Sequence, residues 1–390
     1  MIRLANDRDI TQIIDLWNYC FDDSPEFVDF YFKTCFKSYN TVVSEEDGRI
    51  QSCLQLLPYR MMLRERETPI SYIVGVATWP EYRRQGLIKK LLQFADKVMH
   101  ERGIFHSILL PFQYDFYRKY GWEVCYEFLT YKAIDFSNYH VKNKPTELKS
   151  NSKFIKVGKE GNFDKLSKCY KQYMKYFNGY IMRGNKEWQK IIQDTEIAGG
   201  ACYLYEEKES PSGYIIYTKN EKSLNINELV YLSNEAKAEL IKLAFSHLGQ
   251  VNQISRKAPF WDLDYLFMKD SRGIIEKETF VMGRIHDVVN ALSGIFYSGE
   301  EFVIRVKDEF YQKNNGSFLI KQKAGNSYLI RTNQEPDCIL NIRTLNQLLW
   351  GYISPELALM EGLIQLKNSN DIEKLELLFP KKYNYMTEDF

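Results

Sequence analysis

Residues 74–88, which read Val-Gly-Val-Ala-Thr-Trp-Pro-Glu-Tyr-Arg-Arg-Gln-Gly-Leu-Ile, constrain this chain more than any other stretch. A β-branched apolar run passes through a short basic turn to Gly86. Beyond the glycine, Leu87, Ile88, Leu91, Leu92, Ala95, Val98 and Met99 repeat on one helical face. The turn's backbone N–H groups and the positive end of that helix therefore converge on one spot, suited to a pyrophosphate. Arg83 and Arg84 add charge, and Gly86 lets the backbone approach closely. Taken alone, the same residues also describe an ordinary basic strand, turn and helix.

Composition narrows the class without naming it. A chain of 390 residues with 45% hydrophobic content is long enough for two or three cores. With 52 basic and 51 acidic residues, the net charge of +1 offers no electrostatic footprint for nucleic acid or a membrane surface. No apolar run approaches a membrane-spanning length, and the polar residues Asn6 to Asp9 interrupt any signal peptide. Seven scattered cysteines without a C-x-x-C pair suit a reducing cytoplasm, and together with five dispersed histidines they indicate no metal site.

The chain opens as a strand and a helix. Met1–Leu4 is followed by the N-cap Asp7 and by Ile10, Ile13, Ile14 and Trp17 at helical spacing. Paired strands are expected at Thr41–Ser44 and Ile50–Leu57, a further strand at Ile104–Leu110, and a closing strand of the same sheet at Glu123–Ala133. The middle third repeats the strand–turn–helix order in Ile226–Leu232 and Glu235–Leu248, but Ser233-Asn234 supplies no Arg-x-x-Gly. In the last third, Phe302–Val306 alternates, Asn314-Asn315-Gly316 reads as a hairpin turn, and Leu345, Leu348, Leu349 and Tyr352 mark a helix before Ser354-Pro355-Glu356 opens another.

A second segment gives the first loop its context. Phe116-Tyr117-Arg118-Lys119-Tyr120-Gly121-Trp122 follows about thirty residues later, room for one helix and one strand. The loop resembles the acetyl-coenzyme A loop of the GNAT acetyltransferases, with Ile88 where Gly or Ala is usual. The later segment resembles that superfamily's "Tyr, basic, aromatic, Gly, aromatic" run. Residues 302–362 resemble a sterol-carrier-protein-like domain in their order of strand, Asp, Asn-Gly, helix, Gly-Tyr, Pro, helix and Gly. The whole chain thus resembles the enhanced intracellular survival (Eis) family of N-acetyltransferases, within which an apolar residue at Ile88 is ordinary. Phe112 departs from the small polar residue that family members often carry five positions before the tyrosine.

The resemblance implies an α+β (mixed α/β) fold of two tandem GNAT-type domains with mixed central sheets and a sterol-carrier-protein-like domain. The expected bounds are 1–145 for the catalytic domain, 146–285 for a degenerate GNAT-like domain and 286–390 for the last. It implies acetyl-coenzyme A as co-substrate, with no metal, and a homo-oligomer, in this family a hexamer. Val74, Gly75 and Val76 are expected to splay from their neighbour strand and offer N–H groups to the thioester. Arg83, Arg84, Gln85, Gly86, Leu87 and Ile88 would hold the pyrophosphate.

Tyr117, protonated at neutral pH, is the candidate general acid for the leaving thiolate. Resemblance alone supplies the general base, the α-carboxylate of Phe390. Asp22, Asp23, Glu388 and Asp389 are candidate substrate contacts, since carboxylates around a pocket concentrate cationic amines. The acceptor is read as an aminoglycoside- or polyamine-like amine. Protein lysines, or a non-catalytic lipid-binding scaffold, are the alternatives.

Overall fold

The computed structural model describes residues 1–132, 151–267, 274–295, 301–323 and 326–389. Two compact units emerge, one built from Met1–Tyr126, Asn178–Met182 and Phe280–Phe390, the other from Glu127–Phe177 and Arg183–Thr279.

In the first unit the chain runs β1 (Ile2–Leu4), α1 (Ile10–Cys20), α2 (Pro25–Thr34), β2 (Thr41–Glu46), β3 (Arg49–Leu63), β4 (Arg66–Thr78), α3 (Leu87–Glu101), β5 (His106–Leu109), α4 (Tyr114–Arg118) and β6 (Glu123–Val124). The central sheet has the order β1-β2-β3-β4-β5, then Met282–Ile285, then β6. Strands β1 to β4 pair antiparallel, and α3 is the crossover that sets β5 parallel to β4. Leu91, Leu92, Ala95, Val98 and Met99 of α3 pack on Val42, Leu54, Leu56 and Ile73. Side chains alternate along a strand, so Cys53, Gln55 and Tyr72 face the other side. There Tyr31 of α2 donates to Gln55 and Trp17 of α1 reaches Gly75.

The expected strand Glu123–Ala133 divides in two. Glu123–Val124 pairs with Met282–Gly283 at the sheet edge, whereas β7 (Glu127–Lys132) belongs to the second unit's sheet. The ladder breaks because the N–H groups of Cys125 and Tyr126 both reach Val281 O, and the Tyr126 hydroxyl donates to Gly179 O at 2.6 Å. Strand pairing is non-local, and a continuous apolar pattern does not reveal which sheet receives it.

A buried polar line holds Met282–Ile285 in place. Trp122 Nε1 donates to Ser107 Oγ (3.1 Å), Ser107 Oγ lies 2.7 Å from His286 Nε2, and His286 Nδ1 lies 3.0 Å from Asp96 Oδ1. Burial holds the His286 pKa below its ordinary value. The neutral ring therefore donates from Nδ1 to Asp96 and accepts the Ser107 proton at Nε2. Ser107 is fully buried and also takes the Trp122 N–H, so this Ser–His–Asp line is a tether and not a nucleophile.

The C-terminal segment of the same unit forms a five-stranded sheet. Its order is Asn326–Thr332, Gly316–Lys323, Phe302–Lys307, Cys338–Asn341, Ile364–Leu366, with helices at Ile342–Trp350, Pro355–Met360 and Asp371–Leu378. The expected Asn-Gly hairpin turn is instead a longer connection. Asn314 Nδ2 and Asn315 Nδ2 bond the carboxylate and the carbonyl of Asp308, which drew these residues out of a tight turn.

The second unit carries a seven-stranded sheet in the order Ile274–Thr279, β7, Gln253–Pro259, Ser223–Tyr231, Ser210–Lys219, Ala201–Glu207, Ser152–Val157. Strand Ser223–Tyr231, helix Asn234–Phe245 and parallel strand Gln253–Pro259 repeat the β4–α3–β5 arrangement. Among the described residues, no helix is long and apolar enough to cross a membrane.

Burial pushes the His106 pKa down to about 3, against roughly 6.5 when unfolded. Such a histidine takes up its proton on unfolding, so its contribution is complete above about pH 6.5 and is lost as pH falls towards 3. Urea unfolding as a function of pH is expected to show stability falling by up to about 1.4 kcal/mol per pH unit below pH 6.5. The slope should flatten in His106→Leu; a wild-type profile level between pH 6.5 and 5 contradicts this.

Candidate active site

Strand β4 changes course at Gly75. Cys53 pairs with Ala77 and Gln55 with Val74, so Gly75 and Val76 stand opposite Leu54 alone. Gly75 adopts φ +59°, the left-handed region where glycine carries no Cβ penalty, and the arrangement is a β-bulge. The parallel pairing of β4 with β5 ends at Ile73 and Leu109. Past that point Val74, Gly75 and Val76 have no ladder partner on the β5 side, and their edge of β4 is open.

The loop that follows is shaped by backbone. Pro80–Tyr82 forms a single 3-10 turn, Arg84 takes φ +63°, and Gly86 caps α3 at φ +73°. Gly86 provides no side-chain acceptor, so the first-turn N–H groups of α3 are left for an external anion. Arg83, Arg84, Gln85 and Gly86 are exposed, Ile88 is half-buried and Leu87 is buried. Arg83 Nε bonds Thr78 O (3.1 Å) and Gln85 Nε2 bonds Glu81 O (3.0 Å), fixing the loop at both ends. The left-handed Gly86 and the uncapped helix fit a diphosphate. A Cβ at residue 86 meets nothing within 4 Å, leaving the cradle open.

Tyr117 lies on α4 at 2% exposure, among the rings of Phe112, Phe116 and Trp122. Burial alone raises its pKa well above the usual tyrosine range, so the hydroxyl keeps its proton. Phe112 is largely exposed and covers Tyr117 with its ring, 5.6 Å away, in place of a polar contact.

The chain's last described residues enter this unit's core. Asn178 organises them. Its N–H donates to Tyr383 O and its carbonyl accepts from Tyr385 N. Its side-chain Nδ2 donates to Asn384 Oδ1 and Trp350 O, and its Oδ1 accepts from Arg64 N. The Asn384 amide reaches Cys125 O (2.9 Å). Tyr385, Met386 and Glu388 are buried, Tyr383 and Asp389 exposed. The Tyr72 hydroxyl donates to Glu388 O at 3.3 Å. Burial, then the charges of Asp389 and Glu388, holds the Tyr72 pKa well above its ordinary value. The tail therefore reaches β4 one residue before pairing with β5 ends. Phe390 itself lies outside the described residues.

The other acidic candidates sit in the α1–α2 connection. Asp22 is exposed, and Asp23 accepts the Trp17 indole N–H at 2.9 Å. Trp17 stacks on Tyr31 with centroids 4.6 Å apart. Among the described residues no group of three or more His, Cys, Asp or Glu could hold a metal ion. Sequence reasoning read Trp17 only as a helix-face residue and missed Gln55, Tyr72 and Asn178. Their roles depend on which strands lie side by side, and only the alternation of β3 hinted at the shared face.

The corresponding helix of the second unit is closed by its own residues. The Ser233 side chain accepts from Ala236 N, capping that helix, and both oxygens of buried Glu228 are held by Arg183 at 2.8 Å.

Comparison with known proteins agrees with this geometry. Residues 1–125 and 179–285 each match a GNAT acetyltransferase domain family, and residues 288–387 match a sterol carrier protein domain. No curated protein sequence matches the chain. Similar solved structures include a GCN5-related N-acetyltransferase from Anabaena variabilis, with 22% identity, 100% of both chains covered and TM-score 0.85. A conserved protein from Enterococcus faecalis shows 21% identity, 100% and 99% coverage and TM-score 0.86. Eis1 from Mycobacterium abscessus shows 16% identity, 100% of both chains and TM-score 0.77. The chain belongs to the GNAT acetyltransferases and is an acyltransferase. Its tandem GNAT domains and sterol-carrier-like C-terminal domain give it the Eis-like organisation within them.

The two loop glycines separate the bulge from the cradle. A Cβ at residue 75 would lie 2.7 Å from the Trp17 ring and 3.0 Å from Gln55 Nε2. Gly75→Ala is expected to cost about 2–4 kcal/mol in chemical denaturation, and Gly86→Ala only about 1–2 kcal/mol. Equal losses would contradict the steric assignment.

Proposed function

We propose that this protein transfers the acetyl group of acetyl-coenzyme A directly to an amine of a cationic small molecule, aminoglycoside- or polyamine-like. Tyr117 is the general acid and the α-carboxylate of Phe390 the general base. The observation that carries the reading is the placing of the tail. Glu388, two residues from the end, accepts from Tyr72 on β4, and β4 opens at the next pair of residues.

The open edge at Val74–Val76 presents N–H donors to the thioester carbonyl, and the Arg83–Ile88 loop holds the diphosphate. The acceptor's ammonium group gives up one proton to the Phe390 carboxylate, and the neutral amine nitrogen then bonds the carbonyl carbon. The carbonyl electron pair moves onto oxygen and returns as the C–S bond breaks. The departing thiolate takes the Tyr117 proton, and the surplus proton on the newly acylated nitrogen returns to Tyr117, which leaves a neutral amide, a neutral thiol and a protonated tyrosine. A tyrosine held protonated by burial suits that last step, since it is charged neither before binding nor at neutral pH. Exposed Asp22 and Asp389 favour a cationic acceptor.

Thiol release should be measured with a panel of aminoglycosides, polyamines and lysine peptides. Tyr117→Phe is expected to lower kcat on the order of 10²-fold with KM for acetyl-coenzyme A little changed. Extension of the chain past Phe390 is expected to abolish turnover while coenzyme binding persists. Equal rates for the extended and native termini would remove Phe390 from the mechanism.

A further inference from the structure

The amide of Gln55 has no role in anything described so far. Gln55 is fully buried on β3, directly opposite Val74 at the start of the bulge. Its Oε1 accepts from the Tyr31 hydroxyl at 2.8 Å, but Nε2 has no hydrogen-bond partner among the described residues. A buried N–H left unpaired is destabilising, and such groups are rare enough to need a reason. Its direction supplies one. Nε2 lies 3.0 Å from where a Cβ on residue 75 would stand, and residue 75 is glycine. Any side chain there would press on this amide and on the Trp17 ring, 2.7 Å away, so glycine keeps the amide directly against the bulge.

The orientation is fixed from behind. The Tyr31 hydroxyl holds Oε1, so the NH₂ end is turned towards Gly75. Tyr31 is stacked on Trp17, and the Trp17 indole is pinned by Asp23. Asp23 thus has a part in this chain of contacts as well as in any attraction of substrate. An amide NH₂ donates and cannot accept, so what it faces must be an acceptor. An ammonium group cannot take that place, and a carbonyl oxygen can.

We propose that Gln55 Nε2 is a side-chain donor to the acetyl carbonyl oxygen, acting beside the backbone N–H groups of the bulge. The inference rests on the acetyl-transfer reading above. The amide moves no proton in the step. It strengthens its hydrogen bond as the amine nitrogen bonds the carbonyl carbon and the electron pair shifts to oxygen, and it relaxes when the C–S bond breaks. Preorganised donors of this kind act mainly on the transition state.

The test is Gln55→Met, which keeps the volume and removes the donor, alongside Tyr31→Phe, which keeps the donor and frees its orientation. Three quantities are read: the infrared carbonyl stretch of bound acetyl-coenzyme A labelled with carbon-13 at the carbonyl, the steady-state constants, and the melting temperature without ligand. For Gln55→Met we expect the carbonyl band to move to higher frequency and kcat to fall on the order of 10²-fold. KM for acetyl-coenzyme A should stay within about threefold, and the melting temperature should not fall, because the unpaired amide has gone. Tyr31→Phe should move the band in the same direction by less.

An unmoved band with unchanged kcat, or a band unmoved by Tyr31→Phe should Gln55→Met not fold, overturns the proposal while leaving acetyl transfer intact. A lower melting temperature with the band unmoved makes the amide a packing group and also overturns it. Wild-type protein that neither binds acetyl-coenzyme A nor releases thiol overturns the transfer reading, and this inference falls with it.

Discussion

The structure depends on one interruption in hydrogen bonding. β4 is paired on both sides at Ser71–Ile73, takes an extra residue at Gly75–Val76 against β3, and loses β5 on its other side. A strand that keeps one ladder and loses the other is held in place by the first and leaves the N–H groups of its open edge unspent. Most buried backbone donors are paired, so an open edge in mid-sheet implies something that closes it. The bulge is kept by Gly75 and supported by Trp17 and Gln55 packed against the missing side chain. The helix that follows begins at an uncapped glycine. In the second unit the equivalent helix is capped by Ser233, and Glu228 is taken by Arg183. The helix of the first unit lacks a side-chain cap, and the corresponding helix of the second has one.

The same unit joins the first and last residues of the chain. Arg64 on the β3–β4 turn donates to the carbonyls of Leu348 and Leu349, Asn178 bonds Arg64 and Asn384, and Lys382 N bonds Gly351 O. All but the last of these contacts, which joins backbone to backbone, use a side chain, and each spans residues distant in sequence. Together they specify where the tail runs, which apolar packing alone would not do. A C-terminus is ordinarily a frayed element; here residues 384–388 are tied down almost continuously. Such an anchored tail is what the proposed role of the end of the chain requires.

Much of this was legible from sequence where the signal is local. The turn at Arg83–Gly86, the amphipathic face of α3 and the Tyr117 segment are read from neighbours a few residues apart, and the order of domains follows from three such local patterns. What was not legible is non-local. Glu123–Ala133 looks like one strand, yet Val124 ends a strand of one sheet and Glu127 begins a strand of another. The Asn314-Asn315-Gly316 run has hairpin chemistry, but its amides are claimed by Asp308. Gln55 is an unremarkable polar residue in a strand until the fold leaves its amide without a partner. Asp23 also holds an indole N–H, a contact that sequence spacing does not reveal.

Amide hydrogen exchange of the complete, untagged chain, resolved at single residues, tests the central claim most directly when run with and without acetyl-coenzyme A. The account predicts added protection at Val74, Gly75 and Val76 together with the first-turn amides of α3, and none at the Ser233-capped helix. Protection that leaves residues 74–76 unchanged, or that falls on the second unit, would contradict it.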